Sequence, residues 1–322
     1  MSARALWIVG LVLAGLIAAI VVIRFAFARL LRTGGAPADA IEKTATSKDG
    51  TVIAYEQTGS GPVIILVSGA LVDRDGTRPL AKQLASSFTV VNYDRRGRGR
   101  SANNLPYSVE REIEDLEALV SAYGGPVLLF GSSSGSVLAL DATSRLGARV
   151  RKLFMYEPPF IVDASRPPIP EALLNEVTAA VSTNDMNGAV TLFFGKAMGI
   201  PPVGVTLMRF LMPAWADMKA LAHTAPYDLM ILAGTQSGKP LPADRWAPGT
   251  SPTMVAVGSK SEPFFHVGAK ALAGMLPGVQ YRSLEGLDHS AVLMGPGAIA
   301  DAMRQFFAAG QYTGAGGCGD GL

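Results

Sequence analysis

The string Gly131-Ser132-Ser133-Ser134-Gly135 places one serine, Ser133, with a glycine two residues to either side. A hydroxyl so placed can act as a nucleophile toward a carbonyl carbon if a base takes its proton and N–H groups await the oxyanion. Ahead of it stands an apolar run, residues 127–130 (VLLF), and behind it residues 135–146, small and apolar at helical spacing. Strand, sharp turn, helix is the context in which Gly-x-Ser-x-Gly lifts a serine hydroxyl clear of a sheet. The glycines let neighbouring backbone pass where a Cβ would collide. The same turn aims the Ser134 N–H, at the start of the helix, toward negative charge developing beside Ser133. A Gly/Ser loop without chemistry is the plain alternative, and the flanking strand and helix weigh against it.

A base must come from elsewhere in the chain. There are three histidines. His223 lies in a proline-rich stretch and His266 opens a helical one. His289 lies in LEGLDH, residues 284–289, on a loop after the last strand-like run. A general base for Ser133 is expected on a late loop of this kind, after the serine in chain order. Asp288, beside it, points elsewhere along the chain and is not the expected acid.

The elements that must hold these residues are legible as patterns. Residues 44–47 and 52–56, separated by Lys48-Asp49-Gly50, read as a β-hairpin. Residues 63–67, 89–93, 127–130, 152–156, 254–257 and 279–284 read as further strands. Most of these runs are apolar throughout, as in a parallel sheet covered on both faces. Helical stretches at 78–85, 109–123, 135–146, 267–275 and 298–307 alternate with them. In the second, Leu116, Leu119, Val120 and Tyr123 share a face, with Ser108 as the expected N-cap. The alternation predicts a mostly parallel, doubly wound α/β sheet. Residues 160–248 break it with helical patches at 171–182, 186–197 and 221–233 among ten prolines, and read as an inserted helical lid.

From about residue 41 to 308 the chain resembles the α/β-hydrolase superfamily. The likeness is greatest to bacterial cofactor-free hydrolases with Tyr-Asp-Arg-Arg-Gly-Arg-Gly, here residues 93–99, and Tyr-Glu-Pro-Pro, here residues 156–159. The resemblance implies an α/β-hydrolase core of residues 41–159 and 249–309 around the lid. In the family, the turn after the third strand gives the second oxyanion N–H, which falls on Ala70. Relatives usually have His-Gly where this chain has Ser68-Gly69, and Asp-Ser where it has Arg100-Ser101; the arginine-rich turn is read as chiefly structural. Many relatives place the triad acid three residues beyond the glycine that ends the strand after the lid. That glycine is Gly258, position 261 is serine, and Glu262 comes one place late. Another placement in the superfamily is the end of the preceding strand, which is Glu157, followed by Pro158-Pro159. Glu157 is the preferred acid and Glu262 the alternative; a structural carboxylate paired with a loop arginine is the plain reading of Glu157.

The implied activity is acyl transfer to water through an acyl-enzyme on Ser133, with His289 as base. A carboxylic ester, or related lactone or thioester, of a small to medium apolar small molecule is the expected substrate. Lid residues Phe193, Phe194, Met198, Phe210, Met212, Trp215 and Met218 divide between packing the lid and lining the pocket. No metal or organic cofactor is called for. Two alternatives stay open. One is a cofactor-free perhydrolase or haloperoxidase-like activity on the same residues. The other is a membrane-tethered binding protein that kept the fold without turnover, for which the missing acid at position 261 is the support.

Composition bounds the rest. Of 322 residues, 49% are hydrophobic and 17% charged, an apolar excess concentrated in residues 5–23, which hold no charge. A run of that length spans a hydrocarbon core as a helix. Residues 1–32 therefore read as a transmembrane signal-anchor with a basic flank, and residues 33–40 as a linker. The bias of Arg24, Arg29 and Arg32 after the run against Arg4 before it puts the catalytic part in the cytoplasm. A cleaved signal peptide with export, at Ala26-Phe27-Ala28, is the alternative. Without the four arginines of the first 32 residues the chain has 24 basic and 26 acidic residues, which is no nucleic-acid footprint. The single cysteine, Cys318, lies in a Gly-rich tail (310–322) expected to be disordered, and allows no internal disulfide. Oligomeric state leaves no mark on the sequence.

Overall fold

The computed structural model describes residues 35–246 and 251–309. The expected membrane span and basic flank (1–32), the first linker residues and the Gly-rich tail with Cys318 lie outside the described residues. Among the described residues no helix is long and apolar enough to cross a membrane.

Eight strands form one sheet: β1 (Ile41–Thr46), β2 (Val52–Thr58), β3 (Val63–Val67), β4 (Thr89–Tyr93), β5 (Val127–Ser132), β6 (Val150–Tyr156), β7 (Thr253–Gly258) and β8 (Val279–Leu284). Their order is β1-β2-β4-β3-β5-β6-β7-β8. The opening hairpin pairs antiparallel, Ile41 opposite Gln57 and Thr46 opposite Val52, and β2 pairs antiparallel with β4. Every later pairing is parallel. The apolar runs become central strands because both of their faces are covered. β5 and β7 are buried at every position.

Alternating side chains serve opposite layers. From β3, Ile65 and Val67 pack with Leu116, Leu119, Val137, Leu140, Ala269 and Leu272 of the helices Val109–Ser121, Ser134–Leu146 and Pro263–Met275. Ile64 and Leu66 face the other way, onto Leu80, Leu84, Ile299, Met303, Phe306 and Phe307 of Arg78–Leu84 and Pro296–Ala308. Each large apolar side chain buried this way contributes roughly 1.5–3 kcal/mol. Ser108 caps its helix as expected, its hydroxyl accepting from the Arg111 N–H at 3.4 Å.

Between β6 and β7 the described chain contains no strand. It forms helices Leu173–Ser182, Met186–Leu192, Pro202–Leu211, Trp215–Ala220 and Ala225–Ile231, with a π-helical turn at Phe193–Ala197. Leu173, Val177, Val190, Phe193, Phe194 and Trp215 gather into their own cluster, which also takes in Leu71 from the core. Two of these helices, Pro202–Leu211 and Trp215–Ala220, go beyond the sequence pattern. Reading prolines as breakers hides the first of them, because Pro202 occupies the first turn, where its missing N–H would have no partner. Pro263 does the same for its helix, which starts four residues before the apolar spacing predicts.

Candidate active site

Ser133 sits where β5 ends and the helix Ser134–Leu146 begins, with φ 52° and ψ −129°. That backbone conformation costs a non-glycine residue on the order of 1–3 kcal/mol and persists only where the surroundings over-determine it. Here they do. The Ser133 N–H donates to the Tyr156 carbonyl at 2.9 Å, and its own carbonyl accepts from the Ser136 N–H at 3.0 Å and the Ser136 hydroxyl at 2.5 Å. The two glycines are required by crowding: a Cβ on Gly131 would meet the Ser136 backbone, and one on Gly135 would meet the Ser68 carbonyl. The turn therefore packs directly beneath the chain that leaves β3.

His289 and Glu157 meet across the ends of β6 and β8. Glu157 follows β6 with φ 51°, fully buried, and its N–H donates to the Ala256 carbonyl at 2.9 Å. Its Oε1 accepts from the Gly258 N–H at 2.7 Å and the Ser261 hydroxyl at 2.5 Å. Its Oε2 lies 2.7 Å from His289 Nδ1. The carboxylate accepts all three bonds, so Nδ1 is the protonated nitrogen, and in the neutral tautomer this selects, Nε2 keeps its lone pair. Ser261, at the position to which the family resemblance points for the acid, instead helps hold Glu157. The imidazole stacks on Phe265, ring centroids 4.9 Å apart and 23° between planes. The Tyr156 hydroxyl donates to the Asp288 carbonyl at 2.7 Å and so fixes the loop that carries the histidine. Burial pushes the Tyr156 phenol well above its ordinary pKa, keeping it a donor. Asp288 turns away to accept from the Ser290 N–H and hydroxyl, which hold its carboxyl below the ordinary value.

The turn after β3 passes close to the serine. A Cβ on Gly69 would lie 3.1 Å from Ser133 Cβ and 3.8 Å from Ser133 Oγ. Ala70, Ser134, Ser133 and His289 all line one cavity of about 370 Å³. No hydrogen bond joins Ser133 to His289 among the described residues. The cavity's other walls are mostly apolar: Leu71, Val72, Phe193, Phe194, Met198, Met218, Leu232, Phe264 and Val292. Arg166 and Glu262 bring charge to it. The Arg166 guanidinium lies over the Phe264 ring, 4.5 Å from its centroid, and donates to the Ala197 carbonyl at 3.2 Å.

Of the candidates from sequence, Ser133, His289, Ala70 and Ser134 share the cavity, and Glu157 stands behind His289. Glu262 is exposed at the start of the helix Pro263–Met275 and lines the cavity without a hydrogen bond to His289. The other histidines are engaged elsewhere: His223 Nε2 with the Gly97 carbonyl, and His266 Nδ1 with the Tyr281 hydroxyl, each at 2.8 Å. Among the lid aromatics and methionines, Phe193, Phe194, Met198 and Met218 line the cavity; Trp215 packs inside the lid and Phe210 is exposed.

A buried ionic network went unread in the sequence. Arg95 makes two bonds to Glu112, both 2.9 Å, and one to Asp228 at 2.7 Å. Arg98 reaches the other Asp228 oxygen at 2.6 Å, and the Ser134 hydroxyl donates to Asp228 at 2.7 Å. All four charged side chains are buried. The available signal was the run of arginines at 95–98, which demands buried counter-charges, and a lone acid in the apolar lid stretch APYDLMI.

Comparison with known proteins agrees with this architecture. Residues 64–302 match the alpha/beta hydrolase family. An uncharacterized hydrolase of Bacillus subtilis (strain 168), YraK, is 42% identical over 113 residues, 34% of this chain and 42% of its own length. The chain thus spans about two fifths of that relative in the match. An alpha/beta hydrolase from Sphaerobacter thermophilus DSM 20745 superposes with a TM-score of 0.75 at 42% identity, covering 82% of this chain and all of the other. A thermophilic esterase from Thermogutta terrifontis shares the fold at 23% identity and a TM-score of 0.61, covering 84% of this chain and 98% of its own. With the family matched over most of its length, this chain belongs to the alpha/beta hydrolases.

Proposed function

We propose that the chain is a serine hydrolase that cleaves a carboxylic ester, or a related lactone or thioester, of a small to medium apolar substrate. The observation that carries the reading is the joint geometry of a serine on a strained strand-to-helix turn and an imidazole bonded through Nδ1 to a buried glutamate, both open to one apolar cavity. With Nδ1 protonated, His289 Nε2 takes the Ser133 proton as Oγ attacks the substrate carbonyl. Glu157 holds the tautomer and stabilises the imidazolium. The oxyanion is received by the Ala70 and Ser134 N–H groups. Collapse of the tetrahedral intermediate expels the alcohol, which takes its proton from His289, and leaves an acyl-enzyme. Water, deprotonated by the same imidazole, then releases the acid. The Glu157–His289 contact weakens the turnover-free reading, whose support was the missing acid at position 261.

A fluorophosphonate probe should label the wild-type protein, and p-nitrophenyl butyrate should be hydrolysed. Both should vanish in Ser133→Ala and His289→Ala variants that remain folded. Folded wild-type protein that neither labels nor turns over simple esters would overturn the proposal.

A further inference from the structure

We infer that Asp228, a lid residue, is the positioning residue that sets both halves of the oxyanion hole; this rests on the proposed roles of Ala70 and Ser134. The carbonyl of Gly69 and the N–H of Ala70 belong to one planar peptide unit, and in a trans peptide they point in opposite directions. Arg98 Nη1 donates to the Gly69 oxygen at 2.5 Å and to the Val72 carbonyl at 3.0 Å. Arg95 Nη1 donates to the Ser68 carbonyl at 3.2 Å. The carbonyls of the turn are thereby held toward the guanidinium groups, and the Ala70 N–H faces the other way, toward the cavity. A charged donor on the carbonyl also polarises the amide and makes its N–H a stronger donor.

The second half is tied to the same atom group. Ser134 supplies the other N–H, and its hydroxyl donates to Asp228 Oδ1 at 2.7 Å. That oxygen also takes the bond from Arg95, while Oδ2 takes the bond from Arg98 at 2.6 Å. One carboxylate thus binds Ser134 directly and grips the Ser68–Val72 turn through two arginines. Burial pushes the Asp228 carboxyl pKa up, but the fields of Arg98 and Arg95 outweigh it and hold the group below the ordinary aspartate value, so it stays ionised. Donors aimed in advance cost no reorganisation as charge develops, which is why such alignment raises turnover rather than substrate affinity. Asp228 lies on the lid helix Ala225–Ile231, so seating the lid and assembling the hole are one event.

The test compares full-length wild type, Asp228→Asn and Ser134→Ala on p-nitrophenyl butyrate, with inhibition by a trifluoromethyl ketone of matching length and thermal unfolding as the check of folding. Asp228→Asn should lower kcat roughly 10- to 100-fold, part of what losing an oxyanion donor outright costs. KM should stay within about threefold, and ketone inhibition should weaken in step with kcat/KM. Ser134→Ala should move the same quantities in the same direction by roughly three- to tenfold, and it keeps the test alive if Asp228→Asn does not fold. A merely structural Asp228 would lower the melting temperature and the active fraction while leaving ketone affinity untouched. Unchanged ketone affinity in folded Asp228→Asn, or in Ser134→Ala if the former does not fold, would overturn the inference and leave the serine-hydrolase reading standing. An inactive, unlabelled wild type would overturn both.

Discussion

Leu71, Ser133 and Glu157 have φ of 57°, 52° and 51°, and they are three of the four non-glycine residues with positive φ among the described residues. Each ends a central strand or follows it closely, at the edge of the cavity or just behind it. Backbone strain of this kind survives where packing and hydrogen bonds insist on it, and it clusters where a side chain must be aimed. For Glu157 the aim is Nδ1 of His289. Glu157→Gln is therefore expected to lower kcat by about 10²–10⁴-fold, since an amide no longer enforces the tautomer or stabilises the imidazolium. Glu262→Gln should stay within a few-fold of wild type. Steady-state kinetics of the two variants side by side checks both expectations, and equal losses would argue that Glu262 is more than part of the cavity wall.

At the scale of elements, short connections do the anchoring. The turn between β1 and β2 sends Asp49 to Arg96 Nη1 at 2.6 Å, and Arg96 also binds Asp115 at 2.7 and 3.0 Å. The opening hairpin is thus bolted to the arginine-rich turn that supports the site. The bond from Arg96 holds the Asp49 carboxyl well below the usual carboxylate range, against the opposing effect of burial. A depressed folded-state pKa stabilises the fold above the ordinary aspartate value near 4, and the contribution is lost as pH falls toward the folded-state value. Asp49→Asn should accordingly cost roughly 1–3 kcal/mol at pH 7. The gap between wild type and variant should close steadily below about pH 4. Urea unfolding at pH 7, 5 and 3 measures it; a gap independent of pH would remove the ionic explanation. The π-helical turn Phe193–Ala197 acts on the other side of the site, bringing Phe193, Phe194 and Ala197 to the cavity wall. Phe194→Ala should shift the preference among p-nitrophenyl esters toward longer acyl chains, read as the ratio of kcat/KM for octanoate to butyrate. An unchanged ratio would place the acyl group elsewhere in the cavity.

Across the whole molecule, the functional candidates come from separated parts of the chain and converge at the carboxyl ends of β3, β5, β6 and β8. That is where open α/β sheets bind their ligands. The lid closes over this edge and contributes both cavity wall and the buried Asp228. Residues 1–32 lie outside the described residues; we propose that they form a membrane anchor with the rest of the chain in the cytoplasm. Full-length protein should sediment with membranes, and a variant lacking residues 1–32 should be released and match the full-length protein in the fluorophosphonate and p-nitrophenyl butyrate assays. A C-terminal reporter active only in the exported compartment would reverse the proposed orientation.

The sequence by itself determined what depends on near neighbours. The apolar runs that become β3 to β7, the helix capped by Ser108, and the Gly-x-Ser-x-Gly turn around Ser133 all follow from residues within a few positions of one another. There, periodicity and the lack of a Cβ act directly. The order of elements also told the fold class, because alternating strands and helices leave few ways to cover both faces of a sheet. Tertiary structure decided what depends on distance between remote positions. Glu157 and His289 are 132 residues apart and Arg95 and Asp228 are 133 apart, so the local pattern around each acid does not name its partner. Two glutamates were open for the contact with His289 until the fold placed one at 2.7 Å. Asp228 is marked locally only as a lone acid in an apolar stretch, and its role is fixed only when two arginines are buried beside it. The lid was the least legible part, because its prolines start helices as readily as they end them, and only packing against Leu71 and the sheet edge selects between the two.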